Sequence, residues 1–228
     1  MYSELQFITF DGENDVAPNP KPSLSFIEDE GGVYIRHSCN GLLLCSSFHC
    51  LEADRIYYVC KPTTKQYHRL PKFGCKNVFG TSVLCDPSKL TQYRIIFICD
   101  SELSVSHRQI KMYHSDDGLW RESGNPFFAS DDILFNRGVF WNGALHWVGR
   151  GELALSFDVE QKCLHEMPMP LVKEGWAERR LGYFGESGDH LYLIEIYGPL
   201  TAGFDVMEMK RDYAGWFVKY HVNIMQWR

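Results

Sequence analysis

The sequence predicts an all-β protein, a β-propeller-like array of about four to five antiparallel blades whose ring need not be fully closed. Two observations support this prediction. A strand, turn, strand pattern occurs four times along the 228 residues, with successive copies 53, 44 and 50 residues apart. That spacing is the period of four-stranded propeller blades. Helical signals are nearly absent, because no long window places apolar residues at helical spacing between credible caps.

Each copy of the pattern ends its first strand on an apolar residue and resumes on an apolar residue at a near-fixed offset. The first strands end at Cys60, Tyr113, Phe157 and Met207, and the next apolar residues are Tyr67, Trp120, Leu164 and Trp216. The offsets are therefore 7, 7, 7 and 9 residues. A second repeated feature is the Asn-Gly pair. Asn40-Gly41 and Asn142-Gly143 each precede an apolar run, and they lie 102 residues apart, which is two periods of the repeat. Asn-Gly between two strands is a strong hairpin signal.

Short runs of aliphatic, aromatic and β-branched residues, bounded by turn formers, predict the individual strands. We expect strands at 5–10, 33–36, 41–46, 56–60, 66–70, 81–85, 93–99, 109–114, 120–122, 138–141, 144–148, 153–158, 163–167, 181–184, 190–196, 204–209 and 216–222. Long connections are expected at 100–108, 125–137 and 170–180. Residues 1–31 are predicted to be an irregular N-terminal segment with one strand, and residues 32–228 the propeller-like domain.

Composition excludes several classes of partner and compartment. The formal charge of -6 opposes binding to nucleic acid, because phosphate binding depends on clustered Lys and Arg. Apolar stretches are far shorter than the roughly 20 residues of a transmembrane helix, and no signal peptide is recognisable, so we expect a cytoplasmic or nuclear protein. The eight cysteines contain no C-x-x-C motif. We expect them to be mostly buried free thiols.

Motifs that could carry chemistry are weak. Residues 185–189, GESGD, resemble a nucleophile elbow, but the fifth residue is aspartate and a strand follows instead of a helix. A hairpin turn is the better interpretation. Cys45, His49 and Cys50 lack the paired spacing of a structural zinc site, and His146 lies in an alternating strand, where packing in the sheet is expected. We therefore predict no catalytic residue, no metal and no cofactor.

Contacts with a partner are expected on the loops that connect the strands, since loops carry most binding residues. Aromatic and arginine side chains, which are enriched in binding hot spots, occur in two of the long connections. The predicted partner-binding residues are Phe127, Phe128, Trp176, Arg179 and Arg180. The alternative is that the aromatic residues tuck beneath their own loops and fill gaps between blades.

Six segments in matching order and spacing resemble the F-box-associated domain of plant F-box proteins. They read SCNGLLLCSS (38–47), YYVCKPTTKQYHRLP (57–71), DPSKLTQYRIIFI (86–98), GVFWNGALHWVG (138–149), GYFGESGDHLYLIEIYG (182–198) and FDVMEMKRDYAGWFVKYHV (204–222). The resemblance runs from about residue 32 to the end of the sequence. It implies the substrate-recruiting part of an SCF-type ubiquitin ligase, in which an N-terminal F-box binds a Skp-type adaptor and the C-terminal domain holds the target protein.

The sequence departs from this pattern in residues 1–36, where no helical F-box is expected because Pro18, Pro20 and Pro22 break helices. We therefore expect a non-enzymatic recognition domain for an unknown protein, able to join the Skp-type adaptor only if an F-box is supplied. Two alternatives stay open. One is a propeller enzyme or carbohydrate-binding module with a site in a central funnel, and the other is an F-box-less competitor of a full-length relative.

Overall fold

The structure is a computed structural model that describes residues 24–48, 51–85, 92–171, 180–196 and 203–223. These residues form sixteen β-strands and three short 3-10 helices, at Leu24–Phe26, Glu52–Asp54 and Phe135–Arg137. The strands make four antiparallel four-stranded sheets, each a meander in chain order. The predicted all-β, propeller-like class is confirmed, with four blade-like sheets in the described ranges. No helix in those ranges is long and apolar enough to cross a membrane.

The strands follow the sequence pattern closely. Sheet 1 contains β1 (Val33–Cys39), β2 (Leu42–Ser47), β3 (Tyr57–Lys61) and β4 (Gln66–Arg69). Sheet 2 contains β5 (Val78–Cys85), β6 (Tyr93–Asp100), β7 (His107–His114) and β8 (Leu119–Phe128). Sheet 3 contains β9 (Val139–Trp141), β10 (Ala144–Val148), β11 (Ala154–Asp158) and β12 (Cys163–Met167). Sheet 4 contains β13 (Leu181–Ser187), β14 (His190–Glu195), β15 (Gly203–Met209) and β16 (Trp216–Asn223). The strand predicted at 5–10 lies outside the described residues.

The repeated sequence pattern corresponds to the third strand, the turn and the fourth strand of each sheet. Cys60 lies opposite Tyr67 in sheet 1, as Phe157 lies opposite Leu164 in sheet 3. In sheet 4 the residue opposite Trp216 is Met209, not Met207. The irregular offset of 9 was therefore a misalignment, since the turn closes two residues later and the offset in register is 7, as in the other copies.

Asn-Gly and Gly-Asp pairs form the tight hairpins that the sequence predicted. Asn40 and Gly41 have φ values of 46° and 79°, and Asn142 and Gly143 have 49° and 78°. Two successive positive φ values define the type I′ turn, whose twist matches that of the flanking strands. Gly188 and Asp189 repeat this geometry at 59° and 65°, between β13 and β14.

Strand β8 is the main correction to the predicted elements. The prediction ended the strand at 122 and placed 125–137 in a long connection. The strand continues to Phe128 instead. β8 is an edge strand, so the missing N–H of Pro126 need not break a ladder between central strands. Gly124 supplies the positive φ of 72° that a side chain would resist.

The chain divides into two compact units. The first contains residues 1–97 and 112–121, and the second contains 98–111 and 122–228, so the division runs through sheet 2. A core cluster in the first unit comprises Leu24, Ile27, Val33, Cys45, Tyr58 and Cys60. The corresponding cluster in the second unit draws on sheets 3 and 4 and comprises Trp141, Val148, Ala154, Met167, Leu191 and Met209.

The seven described cysteines are all free thiols. Cys45, Cys60 and Cys99 are buried in strands, as predicted. Cys163 is exposed, which corrects the expectation for that residue. It begins β12, an edge strand of sheet 3, where side chains of one face meet solvent.

Candidate functional site

A cavity of about 180 Å³ opens in the first unit, where β4 ends and the chain leaves sheet 1. An engineered cavity of about 150 Å³ accommodates benzene, so this volume suits one large apolar side chain. Its walls come from the 3-10 helix before β3, the start of β3, and the segment that follows β4. The lining residues are Glu52, Arg55, Ile56, Tyr57, Arg69, Leu70, Pro71, Lys72, Phe73, Gly74 and Cys75.

One wall is fixed by a carboxylate that two neighbours share. Glu52 accepts a hydrogen bond from the Tyr57 hydroxyl at 2.5 Å through Oε1, and its Oε2 pairs with the Arg55 guanidinium. Tyr57 is buried, and this burial, with the adjacent Glu52 carboxylate, raises the pKa of the Tyr57 hydroxyl. The phenol therefore stays protonated as a donor at physiological pH, and the positive charge of Arg55 is largely satisfied within the wall.

The opposite wall, residues 70–75, is anchored at both of its first two positions. The Leu70 amide donates to the Tyr57 carbonyl oxygen at 2.9 Å and extends the β3–β4 ladder by one residue. The Trp120 indole Nε1 donates to the Pro71 carbonyl oxygen at 2.9 Å. These bonds hold an exposed, irregular segment in one place although it belongs to no strand.

The floor beneath this segment is aromatic. Phe73 packs edge-on against Phe97, with ring centroids 4.6 Å apart, and its centroid lies 4.8 Å from that of Trp120. Tyr57 also meets Phe97 edge-on at 4.6 Å. Aromatic pairs at these separations add stability beyond burial alone. Two residues that line the cavity, Tyr57 and Phe73, are therefore held by aromatic packing against Phe97.

The rim of the cavity is basic. Arg69 and Lys72 line it and are exposed to solvent. They belong to a stretch, residues 55–85, that contains no Asp or Glu in a chain with a formal charge of -6. The cations of this stretch are Arg55, Lys61, Lys65, Arg69, Lys72 and Lys76. Residues 55–85 therefore carry a net positive charge, against the sign of the whole chain.

A second, more open depression of about 510 Å³ lies on the other side of the same segment. Its lining shares Arg69, Leu70, Pro71 and Lys72 with the first cavity and adds His68, Tyr113 and Gly118. The His68 Nε2 and the Tyr113 hydroxyl lie 3.1 Å apart, within hydrogen-bonding distance. Residues 69–72 consequently form a basic ridge between two concave surfaces of the first unit.

The residues predicted to bind a partner lie elsewhere. Phe127 is half-buried at the end of β8, and its ring lies 6.2 Å from that of the buried Phe135. Phe128 is 66% exposed, with its ring 6.3 Å from that of His107. Arg180 is exposed and its carbonyl oxygen accepts from the Ile196 amide. Trp176 and Arg179 lie outside the described residues.

The packing of Phe127 and Phe128 follows their position on a strand. Successive side chains of a strand point to opposite faces, so one ring packs inward and its neighbour faces solvent. The packing of Phe127 therefore agrees with the alternative that the aromatic residues fill gaps in the structure. Phe128, in contrast, has an accessible apolar surface. Their proposed contact with a partner stays a prediction.

The structure describes part of the motifs that the sequence offered for catalysis or metal binding. Ser187 ends β13 at the tight turn into β14, which confirms the hairpin interpretation of residues 185–189. Cys45 contacts Cys60, with the sulfurs 3.9 Å apart, and both other members of the Cys45, His49 and Cys50 group lie outside the described residues. Within the ranges that the structure describes, no three His, Cys, Asp or Glu side chains gather as a metal site would require.

His146 is fully buried in β10 and packs as predicted. Its Nδ1 lies 3.2 Å from the Val139 carbonyl oxygen, and its Nε2 lies 2.9 Å from the Tyr213 hydroxyl. Because a carbonyl oxygen can only accept, Nδ1 carries the proton and Nε2 accepts from the Tyr213 hydroxyl. Burial lowers the pKa of His146 to about 4. The imidazole is therefore neutral at physiological pH.

The basic cavity was missed at the level of sequence. Arg69 and Lys72 form no continuous basic run, because Leu70 and Pro71 separate them. A different signal was available, namely the absence of acidic residues from 55 to 85 in an acidic chain. That asymmetry identifies a basic surface but not the cavity, which requires Phe73 and Trp120 to meet.

Comparison with known proteins gives consistent similarities. The profile of the F-box associated beta propeller domain matches residues 5–195. The Arabidopsis thaliana F-box protein At5g07610 is 32% identical, over 97% of this chain and 56% of the relative. F-box protein At5g49610 of the same plant is also 32% identical, over 78% of this chain and 50% of the relative. The chain therefore spans about half the length of the curated relatives it matches.

Solved structures resemble the chain more distantly. Bacteroides ovatus xyloglucan PUL GH43B has a TM-score of 0.42 at 13% identity, over 84% of this chain and 40% of that one. YCF48 bound to D1 peptide has a TM-score of 0.43 at 12% identity, over 82% of this chain and 51% of that one. Similarity at this level carries no conclusion about activity.

Proposed function

This chain belongs to the family of F-box-associated β-propeller domains, and we propose that it is the protein-recognition domain of an SCF-type ubiquitin ligase subunit. In this proposal the domain makes and breaks no covalent bond. It holds a target protein in the cytoplasm or nucleus, and an F-box connects it to the Skp-type adaptor.

One observation supports a binding role most directly, the cavity beside segment 70–75, in which Pro71, Lys72 and Gly74 are exposed. Binding sites for proteins need an accessible surface with a fixed shape, so that little order has to be created on association. Pro71 and Lys72 are exposed, while bonds from Trp120 and to Tyr57 fix the backbone beneath them. The depression offers apolar surface at its centre and charge at its rim, the usual anatomy of an interface.

The relatives support the ligase context of the proposal. Two Arabidopsis thaliana proteins that match most of this chain are named F-box proteins. In this proposal the F-box-associated domain chooses the substrate, and the F-box makes the contact with the adaptor. The adaptor contact is accordingly assigned to an F-box and not to residues 32–228.

The experiment joins the full chain to the F-box of a relative and expresses the fusion in plant cells. Proteins captured by the fusion and ubiquitinated in its presence are identified by mass spectrometry. We expect a defined set of targets, which is lost when Arg69→Glu and Lys72→Glu are combined in one variant. Lys210→Glu reverses an exposed charge in the second unit and serves as the matched control.

Two outcomes would contradict the proposal. Capture of no target above the background of an unrelated β protein would remove the recognition role. Strong binding of the Skp-type adaptor by the chain without any added F-box would show that residues 1–228 serve the adaptor directly. Targets that are captured equally by all variants would exclude the cavity as their binding site.

A further inference from the structure

We propose that the cavity between Glu52 and Lys72 binds an acidic peptide segment in which a large apolar side chain is flanked by carboxylates. This inference rests on the proposed function and names the chemistry of the target that the cavity would select. The apolar residue would enter the cavity, and the flanking carboxylates would meet the basic ridge.

The apolar part of the proposal follows from the volume and lining of the cavity. About 180 Å³ is enough for a phenyl or isobutyl group, and the interior side chains are mostly apolar, with Ile56, Leu70 and Phe73 among them. The Tyr57 hydroxyl is already bonded to Glu52. A polar ligand group placed here would lose water without gaining an equivalent donor or acceptor, which is unfavourable.

The acidic part follows from the distribution of charge. Arg69 and Lys72 stand at the rim and are exposed, and no acidic residue lies between positions 55 and 85. The second depression repeats this arrangement, because the same two cations line it. A peptide crossing the ridge would therefore meet cationic side chains on its way from one depression to the other.

Carboxylates fit this rim better than phosphates. Arg55 pairs with Glu52. The exposed cations at the rim are Arg69 and Lys72, whereas phosphate recognition uses a dense arginine cluster. Asp117, which precedes Gly118 of the second depression, pairs with Arg121.

The test measures binding of labelled peptides to the full chain by fluorescence anisotropy. The probe is a fluorescein-labelled peptide of sequence Gly-Asp-Glu-Phe-Asp-Glu-Gly. Three comparison peptides replace the phenylalanine by serine, the four acids by asparagine and glutamine, or the four acids by lysine. We expect the first peptide to bind at least tenfold more tightly than each of the others, and its affinity to fall as salt screens the rim.

The protein variants separate electrostatics from folding. The combined Arg69→Glu and Lys72→Glu variant should bind the acidic peptide at least tenfold more weakly than the wild type and bind the lysine peptide more tightly. Tighter binding of the lysine peptide would show that the variant is folded and that the charge of the rim has been inverted. Lys210→Glu should leave every affinity unchanged.

Three results would overturn the inference. They are equal affinity of the wild type for the acidic and neutral peptides, unchanged binding of the acidic peptide by the charge-reversed variant, and tenfold tighter binding of a peptide with phosphoserine in place of the acids. If any of these occurs while captured targets still depend on Arg69 and Lys72 in cells, the peptide chemistry is wrong and the recognition role stands. Failure of the wild-type fusion to capture any target would instead contradict the recognition role.

Discussion

Acid should destabilise this protein through one buried histidine, His146, whose burial sets the size of the loss in unfolding free energy. The pKa of His146 is about 4 in the folded protein, against 6.5 for an ordinary histidine. Between pH 6.5 and pH 4 the His146 imidazole binds a proton in the unfolded chain but stays neutral in the folded chain. The unfolding free energy therefore falls as the pH decreases from 6.5 towards 4. A gap of about 2.5 pKa units corresponds to about 3 kcal/mol at 1.36 kcal/mol per unit.

Urea denaturation at pH 7.5 and pH 4.5 measures this contribution. Other groups also titrate over this range, so the informative quantity is the change in unfolding free energy of the wild type minus that of a His146→Gln variant. Glutamine carries no charge at either pH. We expect the wild type to lose about 2 to 3 kcal/mol more than the variant between the two values.

A matched control is His165→Gln, which replaces an exposed histidine on β12 of the same sheet. This control should lose as much stability in acid as the wild type does. Equal acid losses in the wild type and the His146→Gln variant would refute the reasoning, because His146 would then not be the group that resists protonation.

Further predictions concern packing and reactivity. Trp120→Phe removes the indole donor to the Pro71 carbonyl oxygen and should lower the unfolding free energy by about 1 kcal/mol in urea denaturation. Gly124→Ala should cost about 2 kcal/mol, since φ is +72° and the new Cβ would lie 2.9 Å from a backbone oxygen. Gly118→Ala, also at φ +72° but with no atom nearer than 3.9 Å, should cost about 1 kcal/mol. Iodoacetamide should modify the exposed Cys163 before the cysteines buried in β2 and β3, as followed by mass spectrometry of the native protein.

Much of the fold was predictable because the relevant interactions are local. Asn142-Gly143 selects a tight turn through backbone sterics alone, and it does so between the strands that the sequence predicts. The limits of β8 were not predictable in this way. Whether Pro126 ends a strand depends on whether that strand lies at an edge of its sheet, and only the assembled sheet decides this.

The candidate site also has one feature that the sequence predicts and one that depends on the tertiary structure. The acid-free stretch from 55 to 85 is visible in the sequence, and it is enough to indicate a basic surface. The cavity within that surface depends on Trp120, which lies 49 residues beyond Pro71 in the chain yet donates a hydrogen bond to it. No local pattern reports such a pairing, because its cause is the packing of side chains from separate sheets.

The sequence by itself determined the all-β class, the four-fold strand and turn repeat, and membership of the family of F-box-associated domains. These follow from periodicity and turn chemistry, which act over a few residues and repeat along the chain. Only the tertiary structure decided where a partner would find a shaped surface. Apolar residues of separate strands must first pack around Phe73 before a cavity exists, and the same folding carries Arg69 and Lys72 to its rim.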